Sequence, residues 1–504
     1  MQELFLNLQE ILTQTGKGNK GGTLPTTVYP QSCFKIDDTG LALTRIQGQK
    51  VLCEVATCPE ALCADFQGQV TVTDKLAVKR CPLDHQNAQT LRRRLPWTAP
   101  VSLRDIKTTI GCGDRLGRAT PGHLQAVEKY DVAPVLAQQS IRELNLTGRT
   151  FENVVDDVTF LVLQQGYTKG YGADGDHLKT LEDIGVAVDA GMAMITLDLT
   201  EVMCAAAEKW SEAEVNAAFA DFATETQERI QATYADKSFD VNGSVITINA
   251  LEAKRCAVMY VKAMDFAREV YDLLCQRRGD AFDLEISIDE TEAPTLPAHH
   301  LFIIKELLHR KITISSMAPR FIGEFQKAID YIGDLAEFER QFAVHCDIAK
   351  AHGNYKISIH SGSDKFSAYP TIGRYTAHRV HVKTAGTSWL EAVRAIADCD
   401  ADLYRDIHRK AFATLDDALK FYHITPNLDK IPALDTVKDK DLVSFMDQDD
   451  ARQVVHVTYG FILNDPAIRS RFFSTMDAHE EIYYAHLKRH FLHHLETLGL
   501  KPIA

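Results

Sequence analysis

The stretch "FDLEISIDETEAPTLPAHHLFIIKELLHRKITISSMAP", residues 282–319, reads as a strand, a helix and a second strand in succession. "FDLEISID" alternates apolar and polar residues, which predicts a strand with two distinct faces. In "LFIIKELLHRK" the apolar residues Leu301, Ile304, Leu307 and Leu308 recur at three- and four-residue steps, which predicts a helix. "ITISSMAP" returns to β-branched residues. Strands that alternate with helices imply βαβ units and a parallel sheet.

The same alternation extends in both directions. Further strands are read in "DIKTTIGCGD", "VAPVLAQQS", "GYTKGYGAD", "AMITLDL", "YKISIHSG" and "RVHVKTAG". Helical patterns such as "TFENVVDDVTFLVLQQ", "EFERQFAVHCDIAKAHG" and "SWLEAVRAIAD" lie between them. Eight units of this kind predict an α/β protein of the TIM (β/α)8 barrel type rather than an open doubly wound sheet. The expected organisation is an N-terminal α+β extension over 1–104, a barrel over 105–410 and a C-terminal helical segment over 411–504. The barrel is expected to carry an all-helical insertion at about 200–278.

The 504 residues are 45% hydrophobic and 25% charged, as in a soluble globular protein. "MQELFLNLQEILTQTGKGNK" reads as an amphipathic helix and a polar loop, not a signal sequence, and no apolar run approaches the ~20 residues that span a bilayer. A net charge of −14 argues against a nucleic-acid partner but permits an anionic small substrate at a local basic cluster. The 11 cysteines form no Cys-x-x-Cys pair, and Cys53, Cys58 and Cys63 are spaced like neither a zinc knuckle nor a disulfide framework. Reduced thiols in a cytoplasmic protein are the expectation.

In a barrel, function collects at the C-terminal strand ends. There the sequence places Asp114 and Arg115, then Gln138, Gln139 and Ser140. "GYGADGDHLKT", residues 170–180, ends its strand in Asp176 and His177. By itself this glycine-rich stretch is a turn with Asp176 as a helix N-cap. "LEISIDE" carries Glu285, Ser287 and Asp289 on one face, "ISIH" ends in His360, and "RVHVKTAG" carries His381 and Lys383. His177, His360 and His381, from three strands, are candidate ligands for one divalent cation, with zinc, manganese, cobalt and nickel all admitted. Asp176 and Glu285 are candidate acid–base groups. "IHSGSDK" offers Ser361 and backbone amides as an anion nest, with Lys365, Lys383 and Arg115 to bind a substrate anion. A rival cluster, His479, His486, His490, His493 and His494, lies on the last helix and is read as packing.

"GCGDRLGRATPGH", "PVLAQQSIREL", "GYGADGDHLKT", "ISIDETEAPT", "APRFIGEFQKAIDYIGDL", "KISIHSGSDKFSAYP" and "HVKTAGTSWLEAVR" together resemble the tagaturonate/fructuronate epimerase family. The resemblance covers about 105–410. It implies a metal-dependent enzyme that inverts C4 of a ketohexuronate, with Asp176 as acid–base and His177, His360 and His381 as ligands. Glu285 is the weaker assignment for the second acid–base, with Asp289 and Glu290 as alternatives. The Asp-His and His-Ser-Gly-Ser elements also look like those of class II aldolases.

The chemistry agrees with that likeness. A ketone at C2 acidifies hydrogens on C1 and C3 but not on C4. No strand–GxGxxG–helix unit is present to supply a nicotinamide for transient oxidation. A retro-aldol route remains, in which the C4 hydroxyl loses its proton as C3–C4 breaks. The rivals are a true metal aldolase and a non-catalytic barrel subunit. The expected partner is a sugar acid, without nucleic acid or membrane, and self-association into a homo-oligomer is left open.

Overall fold

The computed structural model describes residue 8 and residues 27–73 and 76–503. The amphipathic helix read at 1–20 lies outside the described residues, apart from Leu8.

Six strands come first: β1 (Thr27–Val28), β2 (Phe34–Ile36), β3 (Thr39–Ile46), β4 (Gln49–Ala56), β5 (Gln69–Val72) and β6 (Ala77–Cys81). They form one antiparallel sheet in the order β1-β3-β4-β6-β5, with β2 beside β3. A helix at His85–Arg94, capped by Asp84, follows it. Leu41, Leu52 and Cys81 of the sheet pack with Ala88 and Leu91 of that helix, and with Phe160 and Leu163 from a barrel helix. The sheet is thereby fastened to the barrel wall.

The barrel strands are β7 (Thr108–Gly111), β8 (Ala133–Ser140), β9 (Gly172–Leu178), β10 (Met194–Asp198), β13 (Asp283–Ile288), β14 (Ser316–Pro319), β15 (Lys356–Ile359) and β16 (Val380–Lys383). Seven fall within stretches read as strands from sequence, and β9 overlaps the end of its expected stretch, 166–174, and runs on to Leu178. They close in the order β7-β8-β9-β10-β13-β14-β15-β16, with β16 pairing back to β7, and every neighbouring pair is parallel. At the N-terminal mouth Leu103 packs on Val135 and Met194, and Lys356 Nζ donates to its carbonyl at 2.8 Å.

Between β10 and β13 the chain is not wholly helical as expected. A hairpin of β11 (Lys237–Val241) and β12 (Ser244–Ile248) precedes the long helix Ala250–Arg278. Asn242 and Gly243, both at positive φ, supply the two-residue turn, the Asn-Gly chemistry of a tight hairpin. After the barrel the described chain is helical with short 3-10 turns, ending in the helix Glu480–Thr497. On that helix His486 pairs with Asp398 at 2.6 Å, while His494 Nε2 accepts from the Asp364 amide at 3.1 Å. His490 also turns to Asp364, at 3.0 Å, so ligand atoms of Asp364, His490 and His494 lie within 4.8 Å of one another while His486 stands apart. Among the described residues no helix is long and apolar enough to cross a membrane.

Candidate active site

The glycine-rich stretch is a strand, not a turn, and its helix is capped by Thr180, whose hydroxyl accepts from the Asp183 amide. Along β9 and β10, Asp174 faces Met194, Gly175 faces Ile195, and Leu178 faces Leu197. Asp176 and His177 therefore oppose Thr196 alone, which is a β-bulge. Period-two alternation would send Asp176 and His177 to opposite faces. The bulge, with His177 at φ 54°, turns both toward the barrel mouth. Such a backbone costs on the order of 1–3 kcal/mol and is characteristic of functional sites. Gly175 faces outward, where a Cβ would lie 2.9 Å from Leu178 Cδ1 and 3.1 Å from Ala187 Cβ. The glycine lets the following helix sit close.

Below the mouth the barrel interior is polar. Lys383 Nζ lies 2.7 Å from Asp176 Oδ1, 2.9 Å from Glu285 Oε1 and 3.0 Å from Asp174 Oδ2. Burial works against its charge, yet the three carboxylates hold it well above the ordinary lysine range. Burial likewise works against the Asp176 carboxylate, but Lys383, His177 and His360 outweigh it and hold Asp176 below its ordinary range. Asp174 goes the other way, raised to about 6 by burial, with Asp176 and Glu285 adding repulsion that Lys383 does not cancel. One ammonium cannot neutralise three buried carboxylates, so the pocket favours further positive charge.

Above this layer, ligand atoms of His177, Asp289 and His360 all lie within 4.8 Å of one another. The two imidazoles meet edge to face at 4.9 Å. His360 Nε2 is 2.6 Å from Glu285 Oε1, which places the ring proton there. Its other nitrogen, Nδ1, is 3.0 Å from Asp289 Oδ1 without hydrogen-bond alignment. His177 Nδ1 faces Asp198 at 3.3 Å, leaving Nε2 on the other side of its ring. Two imidazoles, each backed by a carboxylate, and a third carboxylate between them are a donor set that fits a divalent cation.

Several expected site residues lie elsewhere. His381 is outside this cluster. It stands two residues before Lys383 on β16, ~6.6 Å nearer the N-terminal mouth, and its Nδ1 is 2.9 Å from Thr109 Oγ1. Burial pushes it down to about 3, so it is a neutral core imidazole. Asp289, not His381, lies with His177 and His360. Glu285 is fully buried beneath His360 and Lys383 and does not line the cavity. Lys365 is turned inward, donating to the carbonyls of Gln326, Ile329 and Ser363, and cannot reach a substrate anion. The charge of Lys383 is committed to carboxylates.

Arg115 and Ser361 do line the cavity, with Asp176, His177, Asp289, Glu290 and His360. Arg115 is held by Glu143 at 2.7 Å and by the Tyr459 ring at 3.8 Å, yet its buried Nη1 has no hydrogen-bond partner. Lys327, not foreseen from sequence, donates to Ser361 Oγ at 2.8 Å, and burial lowers its pKa. Arg142, Tyr422 and His456 complete the wall. These come from loops and later helices, where no periodicity marks them. Asp198 had a signal, as the polar end of "AMITLDL". The inner cavity, about 90 Å³, shares Arg142, Glu290 and Lys327 with an outer one of about 310 Å³.

A parallel eight-stranded barrel with imidazoles, carboxylates and basic side chains at its C-terminal mouth belongs to the class of barrel enzymes acting on small polar substrates. The family model for UxaE, tagaturonate epimerase, matches residues 29–498. The chain is 38% identical over 472 residues to the tagaturonate/fructuronate epimerase of Thermotoga maritima, covering 94% of this chain and 96% of that one. The crystal structure of fructuronate-tagaturonate epimerase UxaE from Cohnella laeviribosi, complexed with one glycerol, superposes with a TM-score of 0.91 at 43% identity. That match covers 98% of this chain and all of the other, and the native crystal form gives the same TM-score at 42% identity. The chain therefore belongs to the tagaturonate epimerase family, whose members act on hexuronates.

Proposed function

We propose that this chain interconverts tagaturonate and fructuronate by inverting C4, with one divalent cation held by His177, His360 and Asp289. The observation that carries the reading is the His177–Asp289–His360 donor set beside an ionised Asp176 in one cavity. A cation bound there would supply Lewis-acid polarisation of the C2 ketone.

The chain's own residues account for the rest. Asp176, kept ionised by Lys383, accepts the C4 hydroxyl proton as the C3–C4 bond breaks. The electron pair of that bond passes toward C2, leaving an enediolate from C1–C3 and an aldehyde from C4–C6. Arg115 and Lys327 hold the carboxylate at C6, so the aldehyde turns about C4–C5 without leaving. Re-addition to its other face inverts C4. Glu290, on the same cavity wall, is the candidate to return the proton to the inverted oxygen.

The test uses purified full-length chain with tagaturonate. Exhaustive chelation should abolish turnover, and a divalent transition metal should restore it. Asp176→Asn should retain metal while turnover falls by about 10²-fold or more. Full activity after chelation would defeat the metal reading. An Asp176→Asn variant that loses metal but regains its rate when metal is supplied would make Asp176 a ligand instead.

A further inference from the structure

A second group of metal-type donors lies outside the barrel, in the insertion between β10 and β13. Glu252 and Cys256 stand one turn apart on the helix Ala250–Arg278 and so share a face. His299 comes from the first turn of the helix Pro297–His309, and Glu208 from the 3-10 turn Ala205–Lys209. Ligand atoms of Glu252, Cys256 and His299 lie within 4.8 Å of one another.

The distances decide what the group can hold. His299 Nε2 is 2.9 Å from Glu252 Oε1 and 3.6 Å from Glu208 Oε2, and Cys256 Sγ is 3.8 Å from Glu252 Oε1. Tetrahedral zinc, with nitrogen and oxygen at ~2.1 Å and thiolate at ~2.3 Å, needs donor–donor edges of roughly 3.3–3.6 Å. The three observed edges bracket that value, with Glu252, Cys256 and His299 already gathered and Glu208 reaching the group from the His299 side.

Two independent features point the same way. Glu208 Oε2 is buried and has no hydrogen-bond partner, a costly state for a carboxylate oxygen unless a cation faces it. Tyr260, the next turn after Cys256, places its hydroxyl 3.1 Å from His299 Nδ1. That hydroxyl can fix the ring orientation while Nε2 coordinates, the usual outer support of a metal-binding histidine. Access exists as well. Glu208, Tyr260 and His299 line a cavity of about 520 Å³ that also borders Glu290 of the catalytic pocket.

We propose that Glu208, Glu252, Cys256 and His299 form a second, zinc-class metal site that staples the insertion to the barrel's outer helix. Binding displaces the Cys256 thiol proton to solvent and leaves two carboxylates, a thiolate and a neutral imidazole around the ion. The proposal stands apart from the catalytic reading, because no donor is shared.

Cobalt(II) distinguishes the two sites, since thiolate ligation gives a near-ultraviolet charge-transfer band and a histidine–carboxylate site does not. Full-length chain, stripped and reloaded with cobalt, should show the band and bind two equivalents. Cys256→Ser should lose the band and one equivalent while keeping its turnover number. His299→Gln should also lose the band, which guards against misfolding in one variant. His360→Ala should keep the band, and a single equivalent with the band would uphold this site while refuting the catalytic one. Absence of the band in the saturated wild type, or its survival in Cys256→Ser, would overturn the proposal.

Discussion

Glu285 Oε1 accepts from His360 Nε2 at 2.6 Å, and the same oxygen lies 2.9 Å from Lys383 Nζ. One buried carboxylate thus orients the imidazole and helps hold the ammonium that keeps Asp176 ionised. Glu285 is a positioning residue. Glu285→Gln should weaken metal affinity by about 10–100-fold, read by titration with a competing chelator. A Glu285→Gln variant with unchanged affinity but a lost rate would place Glu285 in proton transfer.

The retro-aldol route leaves the C4 hydrogen on the aldehyde carbon throughout. Epimerisation in D₂O should give product without deuterium at C4, as read by NMR. Substantial deuterium at C4 would refute this route and leave a proton-transfer epimerase.

Lys327 lines the cavity bonded to a hydroxyl rather than a carboxylate, while Arg115, paired with Glu143, keeps only its Nη1 without a hydrogen-bond partner. Lys327→Met should lower kcat/KM for tagaturonate by roughly 10–100-fold, chiefly through KM, since a hydrogen bond to a charged group contributes ~1.5–3 kcal/mol. Lys327→Arg should restore part of it. Any turnover of a neutral ketohexose should be much less affected, and equal losses on both substrates would remove the carboxylate role.

Gly386 abuts His456, and a Cβ there would come within 1.8 Å of Nε2. The imidazole is rigid and fully buried, so Gly386→Ala should cost about 1–3 kcal/mol of stability. Adding His456→Ala should relieve the clash, and a double-mutant cycle in denaturant would show the coupling. Additive losses would mean that the loop moves away instead.

His123 is buried against Phe491, ring centroids 4.4 Å apart, and burial lowers its pKa from 6.5 to about 4. Between those values the unfolded chain binds a proton that the folded chain refuses, so stability falls as pH drops from 6.5 toward 4. At pH 5 this linkage amounts to about 2 kcal/mol. His123→Asn should flatten the pH dependence of unfolding free energy in that window by about this amount, whatever its effect at pH 8. An unchanged slope would mean that His123 titrates normally in the fold.

What could be read from the chain alone follows from local physics. β-branched runs and helical periodicity marked the barrel's βα alternation, with the glycine-rich β9 the weakest of the eight, and period two assigned Glu285, His381 and Lys383 to one face of their strands. Asp176, His177 and His360 stood out because they fall at the C-terminal ends of barrel strands, where function collects. Periodicity reports the face of a strand but not height along the barrel axis, which the stagger between neighbouring strands sets. That stagger lowers His381 to the level of Thr109 and Ser358, buries Glu285 under His360, and brings Asp289 to the donor cluster. The bulge at His177 was equally invisible, because it is a relation between β9 and β10 rather than a property of either. Lys327, Arg142, Tyr422 and His456 reach the cavity from segments far apart in sequence, so only the closed tertiary structure brings them to one wall.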